Sequence, residues 1–330
     1  MSHAPTLLAD IGGTNVRFGL AVAATHSVEQ VAALRCADYA GPAEAAIDYL
    51  GRHGMKTGEV KHAAFAVATP VNAPVLHLTN SNWSLDRGAV ASMLGLRKLI
   101  VVNDFEALAM ALPALAPSDY QLVGGAQPLP AQTKAVLGPG TGLGVAGVTY
   151  QSGHWVPVPG EGGHVTLAAA DDFEAAVIKA ARVKYSHISA ERLLSGIGLP
   201  VLYEAVCAVK GLPDKTLPAA QITALGQSGE DAASVATLDC FFALLGSFAG
   251  NVALTLGARG GLFIGGGIVP RLLDVLERSR FRQCFESKGR FQPYLQQIST
   301  AVITSKYPAL FGLAQALHLG VDEVRNHAPP

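Results

Sequence analysis

The sequence predicts an α/β protein of two domains, each a mixed sheet with flanking helices. Three features of the chain point that way. Apolar patterns of strand and helix alternate through both halves of the chain. A strand, a glycine and threonine turn and a second strand occur in succession twice, over residues 6–22 and 134–150, which points to a duplicated unit. A chain of 330 residues also suits about two domains around a large core.

The first element is the apolar run 6–9, breaking into Asp10, Ile11, Gly12, Gly13, Thr14 and Asn15 before a second strand at 16–22. Adjacent glycines let backbone N–H groups approach an anion with no Cβ in the way, and Thr14 and Asn15 add polar contacts. Asp10 is a carboxylate suited to hydrated Mg²⁺. No lysine follows the glycines and no G-x-G-x-x-G occurs at the turn, which excludes a Walker-type loop and the dinucleotide fingerprint. An ordinary glycine hairpin fits the same residues.

Between the two turns, 43–53 reads as a helix and 62–68 as an apolar strand. Asp86 is placed to cap a helix that ends at Gly95, and 98–102 is a buried strand. Asn103 and Asp104 stand at its carboxyl end, where sites form in α/β sheets, and the helical run 106–112 follows until Pro113 stops it. An aspartate in that place fits a helix cap, but Asn103 beside it and the apolar strand before it also suit a hydroxyl held against a low-dielectric wall.

The second turn follows a strand at 134–137. Gly138, Pro139, Gly140, Thr141, Gly142, Leu143 and Gly144 lead into a strand at 145–150, and the two turns together suit a clamp on one nucleotide. A glycine-rich loop then presents Glu161 and His164, a carboxylate and an imidazole able to serve adjacent sugar hydroxyls; a metal pair and a solvated turn are the other readings. Helices are expected at 173–183, 190–194, 199–209, 232–256, 271–278 and 309–319, with Glu191 in the first turn of the second, where an acid also serves the helix dipole. Gly265, Gly266 and Gly267 end the strand 261–264, offering flat backbone to an adenine.

Residues 240–256 carry no charged side chain and approach the roughly 18 residues of a membrane span. Asn251, the close-packing Gly246 and Gly250, and the missing basic flank predict a buried helix instead. Charged residues are 15% of the chain against roughly 25% in soluble domains. That sparsity predicts extensive burial between domains or subunits. A dispersed net charge of −1 gives nucleic acid no basic stripe. Cys36, Cys207, Cys240 and Cys284 lie far apart without a C-x-x-C and read as reduced core residues. With no signal-peptide pattern before the first strand, the cytoplasm is the expected location. The chain is expected to pass between domains near 113–116 and near Ser305, giving a smaller domain of 1–113 plus 306–330 and a larger one of 114–305.

Together these residues carry a resemblance. Through DIGGTNVRFGL, VNDFEALAMALP, GPGTGLGVA, PGEGGHV, HISAERLLSG, FIGGGIVPR, FESKGRF and PALFGLAQAL, nearly the whole chain resembles the bacterial glucokinases of the hexokinase-like group. That group lies within the fold of actin, sugar kinases and heat-shock-chaperone ATPases. The resemblance implies a two-domain, ribonuclease-H-like architecture with a cleft between domains, a homodimer, ATP with Mg²⁺ as cofactors, and phosphorylation of the 6-hydroxyl of glucose. It implies that Asn103, Glu161, His164 and Glu191 hold sugar hydroxyls and that Asp104 holds sugar and acts as general base. Asp10 to Asn15 and Gly138, Gly140, Thr141 and Gly142 would hold phosphates, Asp10 the Mg²⁺ through water, and Gly265 to Gly267 the adenosine. The cysteine-rich zinc motif and the N-terminal helix-turn-helix found among ROK sugar kinases and repressors are missing.

Two departures stand out. Many such kinases carry Pro-x-x-Gly-Asp after the strand ending near Ala68, where this chain has Thr69, Pro70, Val71, Asn72, Ala73 and Pro74. Pro139 replaces a small residue and offers no N–H to a phosphate. The altered loop keeps two other readings open: a kinase for a different hexose, and a sugar or nucleotide sensor without turnover.

Overall fold

The computed structural model describes residues 5–22, 27–78 and 82–318. So far as these extend, the chain divides into two compact units, Met1–Ala114 with Gln151–Pro157 and Lys306–Pro330, and Leu115–Tyr150 with Val158–Ser305.

The first unit contains β1 (Thr6–Ile11), β2 (Asn15–Val22), β3 (Ser27–Arg35), α1 (Pro42–Arg52), β4 (His62–Val67), β5 (Val75–His77), β6 (Ser84–Asp86), α2 (Arg87–Leu94), β7 (Lys98–Asn103) and α3 (Asp104–Ala111). Its main sheet has the order β3-β2-β1-β4-β7. β1 is antiparallel to β2 but parallel to β4, which is parallel to β7. Parallel strands covered on both faces read as near-continuous apolar runs, as residues 7–9 of β1 and 63–67 of β4 do, all of them buried. Leu7, Ala9 and Ile11 pack with Phe18, Tyr49 and Phe65 on one face, while Leu8, Ala64 and Ile100 pack with Met110, Leu310 and Leu313 on the other. Asp86 caps α2 by accepting from the Ala89 amide at 3.0 Å, and Gly95 ends it in the left-handed conformation, as predicted.

The second unit contains β8 (Tyr120–Gly124), β9 (Lys134–Pro139), β10 (Leu143–Gln151, all but its last residue), α4 (Asp172–Ala181), α5 (Ala190–Leu193), α6 (Leu199–Lys210), α7 (Ala219–Ser228), α8 (Ala232–Leu256), β12 (Leu262–Ile264), α9 (Leu273–Arg278), α10 (Phe281–Glu286), α11 (Gln292–Gln296) and β13 (Thr300–Ile303), while β11 (His154–Val158) is counted with the first unit except for Val158. The last helix, α12 (Pro308–His318), returns to the first unit and packs on α3, where a Cβ on Gly312 would run into the carbonyl of Ala107. The predicted end of that helix at Leu319 lies outside the described residues.

The second sheet runs β11-β10-β9-β12-β13-β8. Without the antiparallel edge strand β8, its order repeats that of the first sheet, so the duplication read from the two glycine turns extends to whole sheets. The 25-residue α8 has the length and apolarity of a membrane span, yet 78% of its most apolar window is buried inside the protein. Gly246 and Gly250 admit the carbonyls of Phe281 and Phe285 from α10 into direct contact. All four cysteines are free thiols, three of them buried.

The structure shortens the second glycine turn. Gly138 pairs with Gly144 and Pro139 with Leu143 inside the β9–β10 ladder, so only Gly140, Thr141 and Gly142 remain outside the strands. Glycine in a ladder reads like glycine in a turn, and the sequence pattern does not separate them. Likewise the predicted helix 271–278 divides into a 3-10 turn, Val269–Leu272, and the short α9.

Candidate active site

In the first unit the register places Ile11 beside Val67 and Val67 beside Asn103, so β1, β4 and β7 end level at their carboxyl edge. At about 4.8 Å per strand, the turn after β1 and the start of α3 stand roughly 10 Å apart. The chain leaving β4 between them is the departing segment Thr69 to Pro74, whose Val71 carbonyl accepts from the Arg87 guanidinium at 2.6 Å.

The first turn is closed by the Gly12 amide donating to the Asn15 carbonyl at 3.0 Å and tied down by the Cys36 amide donating to the Thr14 carbonyl at 2.9 Å. The amides of Gly13 and Thr14 find no acceptor among the described residues, which leaves two adjacent donors at an accessible tip. Asp10 faces Arg17 across the β1–β2 pair, with Oδ2 3.2 Å from the guanidinium. Burial pushes the Asp10 carboxyl above its ordinary range, and Arg17 opposes that shift.

At the start of α3 the capping role belongs to Asn103. Its Oδ1 accepts from the amides of Phe105 at 2.9 Å and Glu106 at 3.3 Å. The Asn103 side-chain NH₂ is thereby directed to other acceptors. Asp104 follows as the first helical residue, half-buried, with Oδ1 accepting from the Phe105 amide at 2.9 Å. A reading of Asp104 as the cap itself is overturned, since its neighbour already fills that place.

In the second unit the shortened turn is cross-braced. The Gly140 amide donates to the Gly142 carbonyl at 2.8 Å, and the Gly196 amide to the Gly140 carbonyl at 2.7 Å. The amides of Thr141 and Gly142 find no acceptor among the described residues, matching the pair in the first unit. The third glycine cluster lies directly against this turn. The Gly265 amide donates to the Leu137 carbonyl at 2.8 Å and the Ile268 amide to the Pro139 carbonyl at 3.2 Å. Gly266 needs its left-handed φ of 77°, and a Cβ there would strike the Pro139 carbonyl. Gly267 has open space above it. Pro139 serves this junction through its carbonyl from within β9.

Glu161 opens a 3-10 turn, Gly162–His164, seated on β10 by a bridge between Val145 and Glu161. Gly163 lies so close to the Leu143 carbonyl that a Cβ would collide with it. From this seat the His164 ring reaches Glu161 through Nε2, 4.0 Å from Oε2, and Glu191 through Nδ1, 3.9 Å from Oε1. Glu191 is held on α5, whose cap Ser189 accepts from the Arg192 amide at 3.2 Å, and Ser195 donates to the Glu191 carbonyl at 2.7 Å. Its second oxygen, Oε2, accepts from the Leu143 amide at 2.8 Å. The three side chains thus form one polar group beside the glycine turn, rich in acceptors and able to bind a row of hydroxyls. The Leu143 amide is not legible in the sequence because its bond to Glu191 spans 48 positions, while Ser195, four residues past Glu191, acts locally and, like Arg17 in the first glycine motif, is not singled out by residue type.

A sequence profile described as Glucokinase matches residues 7–319. A glucokinase of Chromobacterium violaceum is 46% identical over 313 residues, covering 95% of this chain and 89% of its own. A glucokinase of Neisseria meningitidis serogroup C is 45% identical over 314 residues, covering 95% and 94%. The crystal structure of a glucokinase from an Antarctic psychrotroph superposes with a TM-score of 0.87 at 38% identity, covering 96% of this chain and 99% of that one.

Proposed function

The chain belongs to the glucokinase family, and we propose that it transfers the γ-phosphoryl group of ATP to the 6-hydroxyl of glucose. It has the two-domain, actin-like ATPase fold of that group. One observation carries the reading. The polar group that suits a sugar, Glu161, His164 and Glu191, is hydrogen-bonded through Glu191 to a glycine turn that offers adjacent backbone donors to a phosphate. Hydroxyl-reading groups braced to a phosphate cradle suit phosphoryl transfer to a sugar.

In this reading Asp104 accepts the 6-hydroxyl proton as that oxygen bonds to the γ-phosphorus. The bond from phosphorus to the β-phosphate oxygen breaks, and ADP leaves with its electron pair. Phosphoryl transfer depends chiefly on positioning and electrostatics, so a modest base suffices, worth roughly 10²–10⁴-fold in rate. Asn103, Glu161, His164 and Glu191 orient the sugar. The amides of Gly13, Thr14, Thr141 and Gly142 stabilise charge on the phosphates, and Gly266 and Gly267 lie under the adenosine. Asp10 would hold Mg²⁺ through water, an ion that takes one or two carboxylates and keeps its waters beside substrate phosphates. Bound there, the ion would neutralise phosphate charge. Among the described residues no group of three or more His, Cys, Asp or Glu forms an all-protein cage.

We further read the two units as the functional domains, the active species as a homodimer, and the cytoplasm as its location. Sparse charge and the family support the dimer; light scattering that gives a monomer mass at micromolar concentration would exclude it. The segment Thr69 to Pro74 supports a second reading, a preference for another hexose, since epimers share most of the hydroxyls such a pocket contacts. Purified protein with MgATP and a panel of hexoses decides: glucose should give the highest kcat/KM, with equal amounts of ADP and glucose 6-phosphate. Turnover only with another hexose would replace the substrate, and sugar binding without ADP release would remove the activity.

A further inference from the structure

We infer that Glu191 and Gly142 are a crossed positioning pair: the sugar-side carboxylate shapes the phosphate turn, and the phosphate-side glycine makes room for that carboxylate. The inference rests on the reading of the site as one for hexose and nucleotide. Three observations in the second unit carry it.

First, the Leu143 amide at the base of the turn donates to Glu191 Oε2 at 2.8 Å, so this N–H is engaged before any phosphate arrives. Second, a Cβ on Gly142 would collide with that same Oε2. Gly142 does not have a positive φ, so the backbone itself would accept alanine there. The atoms that Cβ would meet are those of the Glu191 carboxylate, which would have to move. Third, the chain that follows Glu191 is folded back on it and tied to the same turn. Ser195 holds the Glu191 carbonyl at 2.7 Å, and the Gly196 amide holds the Gly140 carbonyl at 2.7 Å.

Glu191 therefore has one oxygen committed to the turn and the other turned toward His164, 3.9 Å from Nδ1. A charge-assisted hydrogen bond of this kind fixes where the Thr141 and Gly142 amides point, even with no sugar bound. A methyl group at residue 142 would push the carboxylate off Leu143 and turn it away from His164, spoiling the sugar side from the phosphate side.

The test is a crossed set of calorimetric titrations on the full chain. A non-hydrolysable ATP analogue is titrated without hexose, and glucose without nucleotide. Glu191→Ala should weaken the analogue about tenfold in the absence of any sugar, the scale of one charged hydrogen bond lost. Glu191→Gln keeps an acceptor for Leu143 and should restore the analogue to within about threefold while glucose binding stays weakened. Gly142→Ala should weaken glucose about tenfold with no nucleotide present. Thermal melts establish which variants fold, and each folded variant decides its own half. If Glu191 variants alter glucose alone, or Gly142→Ala alters nucleotide alone, the inference is overturned. A wild-type chain that binds both ligands and releases ADP with glucose keeps the proposed function standing in that event; one that binds neither removes both.

Discussion

Asp10 and Arg17 stand directly opposite each other on β1 and β2, with 3.2 Å between the carboxylate and the guanidinium. Arg17 is partly exposed at 44% and Asp10 less so at 22%, which puts the pair in the weak range for ion pairs. Arg17→Ala should lower unfolding stability by about 0.5–1 kcal/mol in urea melts, and high salt should shrink the difference. A loss that does not depend on salt would point to lost packing by the arginine stem.

Asp231 caps the long core helix α8. Its Oδ2 accepts from the Ser234 amide at 2.8 Å and the Ser234 hydroxyl at 2.7 Å, and its Oδ1 from Lys215 at 2.6 Å. The Lys215 hydrogen bond, followed by those from Ser234, holds the carboxyl down at about 2, below its usual value. A depressed carboxyl stabilises the fold fully above its unfolded pKa of about 3.9 and loses that contribution as pH falls toward 2. Asp231→Ala should therefore cost about 1 kcal/mol or more at pH 7, the scale of a lost cap, and the gap to wild type should narrow between about pH 4 and pH 2. Paired melts across that window check it.

The contact of α8 with α10 depends on the missing side chain of Gly246. Gly246→Ala should destabilise by about 1–3 kcal/mol, because the added methyl meets the Phe281 carbonyl and rigid backbone has to move. An unchanged midpoint in chemical denaturation would show that α10 shifts freely.

Much of the fold was legible because its signals are local. Glycine turns after apolar strands marked both sheet starts, and α8 was predicted with its observed bounds from a long apolar run without breakers. β3 was not anticipated, since its half-exposed sequence mixes Glu29 and Gln30 with apolar residues, and β8 and β13 are short. Within the site, residue types were readable and their partners were not. Asn103 and Asp104 both make good caps, so the sequence did not say which one caps α3. Glu191 read as an acid in a first helical turn, because its bond to Leu143 spans 48 positions.

Whether Asp104 takes the sugar proton is decided by pre-steady-state kinetics of Asp104→Asn with MgATP and glucose. Asparagine keeps the shape and the acceptor for the Phe105 amide but does not take up a proton. The transfer rate should fall at least about a hundredfold, with glucose affinity within a few fold of wild type. A variant that transfers phosphate at the wild-type rate would contradict it.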